Sequence, residues 1–136
     1  MSNKQIHNIA MGAILHDIGL RYINVPYVNV SENKMTNKDA VEYKKHTIFG
    51  YSSLQDEEWL PDVAKEIILF HHERIDGSGY PFQHKGDRLK PEVKLVSICD
   101  DFDSMISGIG SEKMKIYEAI EYLSLIHISE PTRPLY

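Results

Sequence analysis

The sequence predicts an all-α fold, a helical bundle with one long glycine-rich loop. Apolar residues recur at helical spacing in several segments, and Ile6, Ile9 and Ala13 are the first example. Capping residues, prolines and glycines separate these segments where helices are expected to begin and end. The sequence shows no internal repeat and no independent sheet, so one bundle of helices accounts for the pattern.

The first helix is predicted between Ile6 and Leu15, where apolar residues keep helical spacing. It ends before Gly19, which leaves His16 and Asp17 projecting from the end of the helix. Residues 20–35 contain β-branched residues, a proline and a turn-like polar run. We predict an extended loop for that segment.

The next two helical segments are predicted around His46. The hydroxyl of Thr36 can cap a helix that leads to His46, after which the helix continues or restarts. Pro61 suits the first turn of a largely apolar helix that ends at His71 and His72. Because so much of that helix is apolar, we expect it to lie across the core.

Residues 73–90 form the glycine-rich loop, and Pro91 opens a helix that carries Asp100 and ends near Gly108. A last helix is predicted from Ser111 onward. Its predicted apolar face consists of Met114, Ile116 or Tyr117, Ile120 and Leu123.

We expect a single domain, residues 1–123, followed by a tail, residues 124–136. A chain of 136 residues that is 42% hydrophobic supports one core. The tail has two prolines within four residues and no helical periodicity. We therefore interpret it as disordered or not native to the protein.

The charge of the chain excludes some classes of function. The sequence has 20 acidic and 15 basic residues and a net charge of −5, which argues against nonspecific binding of a nucleic-acid polymer or a membrane surface.

No segment approaches the roughly 20 apolar residues of a membrane span, and Cys99 alone gives no disulfide framework. We expect a cytoplasmic chain without membrane insertion. An anionic substrate would need local cations, which metal ions would supply.

Imidazoles and carboxylates recur at the ends of the apolar segments, where core residues would be expected. The candidate metal ligands are His16, Asp17, His46, His71, His72 and Asp100. Neighbouring helical residues point about 100° apart, so a doublet of ligands suits two adjacent ions better than one. We predict that Asp17 bridges two ions, with His16 and Asp100 on one ion and the other three histidines on the second.

The candidate ligands offer only nitrogen and oxygen atoms, which favours iron or manganese over a structural zinc site. Two ions about 3.5–4 Å apart lower the pKa of a shared water and neutralise charge on phosphate oxygens. The predicted chemistry is therefore hydrolysis of a phosphoester, with Asp17 as the catalytic bridging ligand.

These motifs, in this order, resemble the HD-GYP family of HD phosphohydrolases. They are HDIG at residues 16–19, the isolated His46, HHERIDGSGYP at residues 71–81 and ICDDFDSM at residues 98–105. The resemblance implies an HD-type helical bundle with two or three divalent ions. It also implies hydrolysis of the bacterial second messenger cyclic di-GMP to pGpG or GMP, and signalling partner proteins or a sensory region outside the chain.

The resemblance places six residues of the long loop beside the metals and the cyclic dinucleotide. They are Arg74, Asp76, Gly77, Gly79, Tyr80 and Pro81. For Arg74 two interpretations remain open, a substrate contact and an ion pair with Glu73 or Asp76. Tyr80 either fixes the loop or touches the substrate.

The chain departs from the family pattern in three places. Leu20 stands where family members often have a lysine, and residues 107–112 lack the basic residues found there in many members. Only 15 residues precede His16, so we expect an N-terminally truncated copy that lacks a helix with a further histidine. Leu20 and the absent basic residues favour a rival function, a catalytically weakened module that binds nucleotide or a partner protein, whereas the six intact ligands favour the enzyme. A hydrolase of another phosphoester is a third alternative.

Overall fold

The computed structural model describes residues 1–27, 30–108 and 113–125, which contain six α-helices and no β-strand. The helices are α1 (Asn3–Leu15), α2 (Asn37–Lys44), α3 (His46–Leu54), α4 (Asp62–Phe70), α5 (Pro91–Ser107) and α6 (Ile116–Leu123). Short 3-10 helices cover Ile18–Tyr22, Glu32–Lys34 and Gly86–Arg88. The predicted all-α fold is confirmed, although the segment predicted as an extended loop, residues 20–35, includes the end of the first 3-10 helix and the whole of the second.

Helix boundaries follow local chemistry in several places. The hydroxyl of Thr36 accepts a hydrogen bond from the backbone N–H of Asp39 at 3.1 Å, as expected for the cap of α2. Pro91 occupies the first position of α5, where its missing N–H removes no helical bond. Gly108 ends α5 with a φ of 78°, a conformation that favours glycine.

Helix α4 lies at the centre of the bundle and packs against α1, α3 and α5. Its Ile68 is buried with Leu60 and Ala64 against apolar residues of α1 and α3. Its Ile67 is buried with Val93 and Val96 of α5. The prediction that this helix crosses the core is confirmed, and burial of each such side chain contributes about 1.5–3 kcal/mol.

The last helix begins later than predicted. Ser111, the predicted start, lies outside the described residues, and α6 begins at Ile116 after Lys115 in extended conformation. The backbone N–H of Met114 donates to the carbonyl oxygen of Met105 at 2.7 Å. This bond holds the chain against α5, and the helical turn starts only beyond it.

The buried face of α6 also differs from the predicted one. Ala119 and Leu123, four residues apart, are buried against Met105 of α5. Three residues of the predicted face expose more than half of their surface, namely Ile116, Tyr117 and Ile120. The prediction was wrong for these three because the short helix contacts the core only along the line through Ala119 and Leu123.

Residues 126–136 of the predicted tail lie outside the described residues, so the boundary at residue 123 stays a prediction. Helix α6 is capped at Ser124. Among the described helices, none is both long enough and apolar enough to cross a membrane.

Candidate metal centre

The six predicted metal ligands lie at one end of the bundle, where several helix ends meet. His16 and Asp17 directly follow α1, and His71 and His72 directly follow α4. His46 is the first residue of α3, and Asp100 lies within α5. Because α1 and α4 pack side by side with their ends together, the ring centres of His16 and His71 are only 4.8 Å apart.

Three groups of side chains in the described residues could hold a metal ion, and within each group the ligand atoms lie within 4.8 Å of one another. The first group contains Asp17, His46, His71 and His72. The second contains His16, His71 and Asp100. The third contains His72, Asp100 and Asp101. All six predicted ligands are therefore brought together, and His71 lies within reach of two groups.

The two carboxylate oxygens of Asp17 face different histidines. Oδ1 lies 3.3 Å from Nε2 of His71 and 3.5 Å from Nε2 of His46. Oδ2 lies 3.2 Å from Nε2 of His16, which in turn lies 3.1 Å from Oδ1 of Asp100. Asp17 thus presents one oxygen to His16 and the other to His46 and His71.

Backbone carbonyls fix the orientation of three of the imidazole rings. Nδ1 of His16, His46 and His71 lies 2.5, 2.6 and 3.0 Å from the carbonyl oxygen three residues earlier in the chain. A carbonyl oxygen can only accept, so Nδ1 carries a proton in each ring. Each Nε2 is thereby directed into the cluster, as in many metal-binding histidines.

The buried histidines leave two nitrogen atoms that suit a cation. His46 and His71 are fully buried, and their Nε2 atoms have no hydrogen-bond partner among the described residues. An unpaired buried polar group costs about 1–3 kcal/mol, whereas a metal ion would use its lone pair. The donor set therefore fits a metal centre.

The protonation states of the ligands also suit a cation. Burial, reinforced by the charge of His71, lowers the pKa of His46 to about 4, so the ring is neutral at pH 7. Burial also lowers the pKa of His72 well below its ordinary value. For Asp17, burial favours the neutral form, but the nearby rings of His16 and His71 outweigh burial and lower the pKa below its usual range.

Metal binding is expected to release a proton from His16. Burial lowers the pKa of this ring, but the carboxylates of Asp100 and Asp17 outweigh burial and raise the pKa to about 11. A cation at Nε2 must displace that proton, so metal affinity should rise about tenfold per pH unit between pH 7 and 9. Titration calorimetry with Mn²⁺ in buffers of different ionisation enthalpy measures the proton released. Equal apparent enthalpies in all buffers would contradict the expectation.

The loop after α4 is held by the buried carboxylate of Glu73, which is 1% exposed. Its oxygens accept hydrogen bonds from the backbone N–H groups of Phe82 at 2.8 Å and His84 at 3.1 Å. From the sequence, Glu73 is predicted only as an ion-pair partner of Arg74. Its position directly after the histidine doublet of a buried helix was the signal that it lies inside the fold.

Arg74 forms an ion pair with a residue of α5, a partner that the sequence pattern does not predict. Its Nη1 donates to Oδ2 of Asp101, a side chain of α5 that is 7% exposed. Two interpretations of Arg74 were open, a substrate contact and an ion pair with a neighbour in the loop. The structure shows an ion pair, with Asp101 of α5 as a partner. Arg74 also lines the cleft beside the cluster, so a substrate contact stays a prediction.

Gly79 and Tyr80 of the loop contact the cluster at His72, and Pro81 follows them in the chain. The ring of Tyr80 stacks on His72, with ring centres 4.8 Å apart and planes 15° apart. A Cβ atom on Gly79 would lie 2.2 Å from the carbonyl oxygen of His72, so a side chain cannot fit there. The close approach of these two backbone segments brings Tyr80 beside the histidines.

Asp76 and Gly77 lie farther out in the loop. Asp76 is exposed, and its Oδ1 accepts hydrogen bonds from the N–H of Ser78 at 2.9 Å and its hydroxyl at 2.6 Å. Gly77 has a φ of 81°, which favours glycine. In this structure both residues shape the turn.

A cleft of about 420 Å³ opens beside the cluster. At the metal end it is lined by Asp17, His72, Arg74, Asp100 and Asp101. Leu20 also lines it, so the position where family members often have a lysine faces the cleft with an apolar side chain.

Comparison with known proteins identifies the family. The model of the family described as "HD domain" matches residues 1–127. The chain belongs to the HD domain family. Membership implies divalent metal binding, and the cluster of histidines and aspartates in this HD domain could hold the ions.

The relatives of this HD domain include enzymes that act on cyclic dinucleotides. It is 35% identical over 110 residues to the cyclic di-GMP phosphodiesterase response regulator RpfG of Xanthomonas campestris pv. campestris (strain 8004), a match that covers 79% of this chain and 29% of the relative. It is 36% identical over 95 residues to the 3'3'-cGAMP-specific phosphodiesterase 2 of Vibrio cholerae serotype O1, a match that covers 67% of this chain and 17% of the relative. The HD domain thus spans less than a third of these relatives.

Among solved structures, the HD domain resembles Bd1817, described as an HDG"Y"P protein from Bdellovibrio bacteriovorus. The TM-score is 0.79 at 28% sequence identity, and the match covers 92% of this chain and 39% of that one. The resemblance to HD-GYP proteins that the motifs indicated is thereby confirmed.

Proposed function

We propose that residues 1–123 form a metal-dependent phosphodiesterase domain that hydrolyses cyclic di-GMP to pGpG, GMP or both. The observation that carries this proposal is the cluster around Asp17, in which buried imidazole nitrogens and two carboxylates face one another. The similarity to phosphodiesterases of two different cyclic dinucleotides supports the class of substrate.

The proposed cofactors are two divalent ions, or three, with iron or manganese preferred because the ligand atoms are nitrogen and oxygen. Bound there, such ions supply an activated water and neutralise charge on the phosphate oxygens. In our proposal Asp17 would contribute a ligand to both ions, since its two oxygens face different histidines. The neutral rings of His46 and His72 would hold one ion without first losing a proton.

The protein itself would orient the substrate. Arg74 lies at the cleft and can pair with a phosphate oxygen, and Asp101 fixes the position of its guanidinium group. Tyr80 keeps the ring of His72 in place by stacking. The remaining loop residues proposed for the substrate site would act by shaping the loop, and they are Asp76, Gly77, Gly79 and Pro81.

A second candidate function is a catalytically weakened module that binds nucleotide or a partner protein without turnover. The charge balance of the cleft favours it, since the described lining residues include Asp17, Glu32, Asp100 and Asp101 but only one cation, Arg74. Leu20 adds no charge. Partner proteins, a sensory region and a cytoplasmic location also stay predictions.

Chromatography of the reaction products distinguishes the two functions. The 136-residue chain is purified without oxygen, loaded with Fe²⁺ or Mn²⁺ and incubated with cyclic di-GMP. Formation of pGpG or GMP that stops on addition of a chelator is the expected result. Intact cyclic di-GMP in the presence of a metal-loaded protein would contradict the enzyme and favour the binding module.

A further inference from the structure

One wall of the cleft offers side chains suited to a nucleobase. Of the described residues that line the cleft, five belong to the segments before and within α2: Tyr27, Ser31, Glu32, Asn33 and Tyr43. Glu32 begins the short helix Glu32–Lys34, and its side chain is 38% exposed. None of these residues is among the metal ligands predicted from the sequence, so this wall is available for another part of a ligand.

Lys44 lies beside Glu32 at the edge of this wall. Its Nζ is 3.5 Å from Oε1 of Glu32 and 5.5 Å from the ring centre of Tyr80, which stacks on His72. The ring of Tyr80 therefore lies between the acid–base pair and a predicted metal ligand.

The contact between Glu32 and Lys44 leaves hydrogen-bonding capacity on both partners. The separation of 3.5 Å is longer than the usual hydrogen-bond distance of about 2.7–3.2 Å. A carboxylate has about four lone-pair sites and an ammonium group has three donors. Both groups can thus bind a ligand while they remain neighbours.

The edge of guanine complements this pair. Guanine presents two adjacent donors, N1–H and the N2 amino group, together with the acceptor O6. A carboxylate can accept from both donors while an ammonium group donates to O6. Adenine presents one amino donor beside an acceptor nitrogen, so it can use only one bond to the carboxylate.

We propose that Glu32 and Lys44 form a guanine-binding subsite of the cleft. This inference rests on the proposed function, since it concerns how a cyclic dinucleotide is recognised. The aromatic faces of Tyr27 and Tyr43, which line the same wall, can support the base by stacking. The subsite makes the domain prefer cyclic di-GMP over cyclic di-AMP.

The test compares Glu32→Gln with the wild type and with a matched control, Glu42→Gln. Glu42 also pairs with a lysine, Lys45 at 3.0 Å, and its side chain is 35% exposed, but it does not line the cleft. Dissociation constants for cyclic di-GMP and cyclic di-AMP are measured by titration calorimetry with Ca²⁺ present. Steady-state hydrolysis is measured with Mn²⁺.

Glu32→Gln is expected to weaken cyclic di-GMP binding by about 10- to 100-fold, since it removes a charge-assisted pair of hydrogen bonds, and to change cyclic di-AMP binding little. Lys44→Gln should act in the same direction, and Glu42→Gln should change neither constant. An unchanged preference in Glu32→Gln, or an equal loss for both nucleotides, would overturn the subsite.

The same data separate the subsite from the proposed function. If the wild type binds cyclic di-GMP more tightly than Glu32→Gln does but never hydrolyses it, the subsite is supported and the enzyme is contradicted. Equal hydrolysis of both nucleotides, by the wild type and by Glu32→Gln alike, supports the enzyme and overturns the subsite. Binding of neither nucleotide overturns the subsite.

Discussion

Asp17→Ala is expected to remove bound metal and hydrolysis together. The two oxygens of Asp17 lie within 3.5 Å of the Nε2 atoms of three histidines. Asp17 is therefore the carboxylate around which these histidines are arranged. Loss of an outer partner of a metal ligand already costs about 10- to 100-fold in metal affinity. Removal of a bridging ligand should cost at least a hundredfold, measured as metal content by elemental analysis and as product formed.

The matched control for this change is Asp103→Ala. Asp103 lies on α5 three residues after Asp100, but its side chain is exposed and belongs to none of the three candidate metal groups. It should keep its metal and its hydrolysis rate. If Asp17→Ala retained either property in full while remaining folded by circular dichroism, the bridging role would be wrong.

Gly19→Ala is expected to disrupt the same centre through backbone packing. A Cβ atom on Gly19 would lie 1.7 Å from the carbonyl oxygen of His46 and 2.7 Å from the backbone nitrogen of Gly50. Both neighbours are backbone atoms of α3, so the two segments must move apart. Such overpacking costs about 1–3 kcal/mol or more, and it separates Asp17 from His46.

Displacement of a catalytic group by even about 1 Å can lower an enzymatic rate about a hundredfold. Gly19→Ala should therefore lose metal and activity even where the protein stays folded, as measured by metal content, product formation and thermal unfolding. Gly77→Ala is the comparison, because Gly77 has a positive φ but no neighbour nearer than 3.4 Å to an added Cβ. It should lose about 1 kcal/mol of unfolding free energy and keep its metal. Full metal content and an unchanged unfolding midpoint in Gly19→Ala would show that the segments adjust freely.

The sequence predicted the parts of the site that local patterns determine. Apolar spacing located α1 and α4, and the residues that interrupt this spacing at the helix ends are His16, Asp17, His71 and His72. These residues follow their helices directly, so a correct helix end also gives a correct ligand position. Their assembly around one point depends on the packing of α1 against α4, which no single segment encodes.

The ion pair between Arg74 and Asp101 shows what the local patterns left out. Its partners are 27 residues apart and meet only because the loop folds back onto α5. The buried positions Val93, Ser97, Asp101 and Met105 are four residues apart, so the spacing did contain a signal that Asp101 faces inward. The late start of α6 had no such signal, because a backbone bond between Met114 and Met105 decides it.

The separation of the ligands along the chain gives the metal ions a second physical effect. His16 and Asp100 touch although they are 84 positions apart in the chain, so an ion shared by them would close a loop about as long as those closed by large disulfides. Constraining a loop of that length in the unfolded chain stabilises the fold by roughly 4–5 kcal/mol in the chain-entropy description. A bound ion would thus act as a cross-link of the fold as well as a catalytic cofactor. Selection for stability alone can then preserve the six ligands in a copy of this domain that has lost turnover.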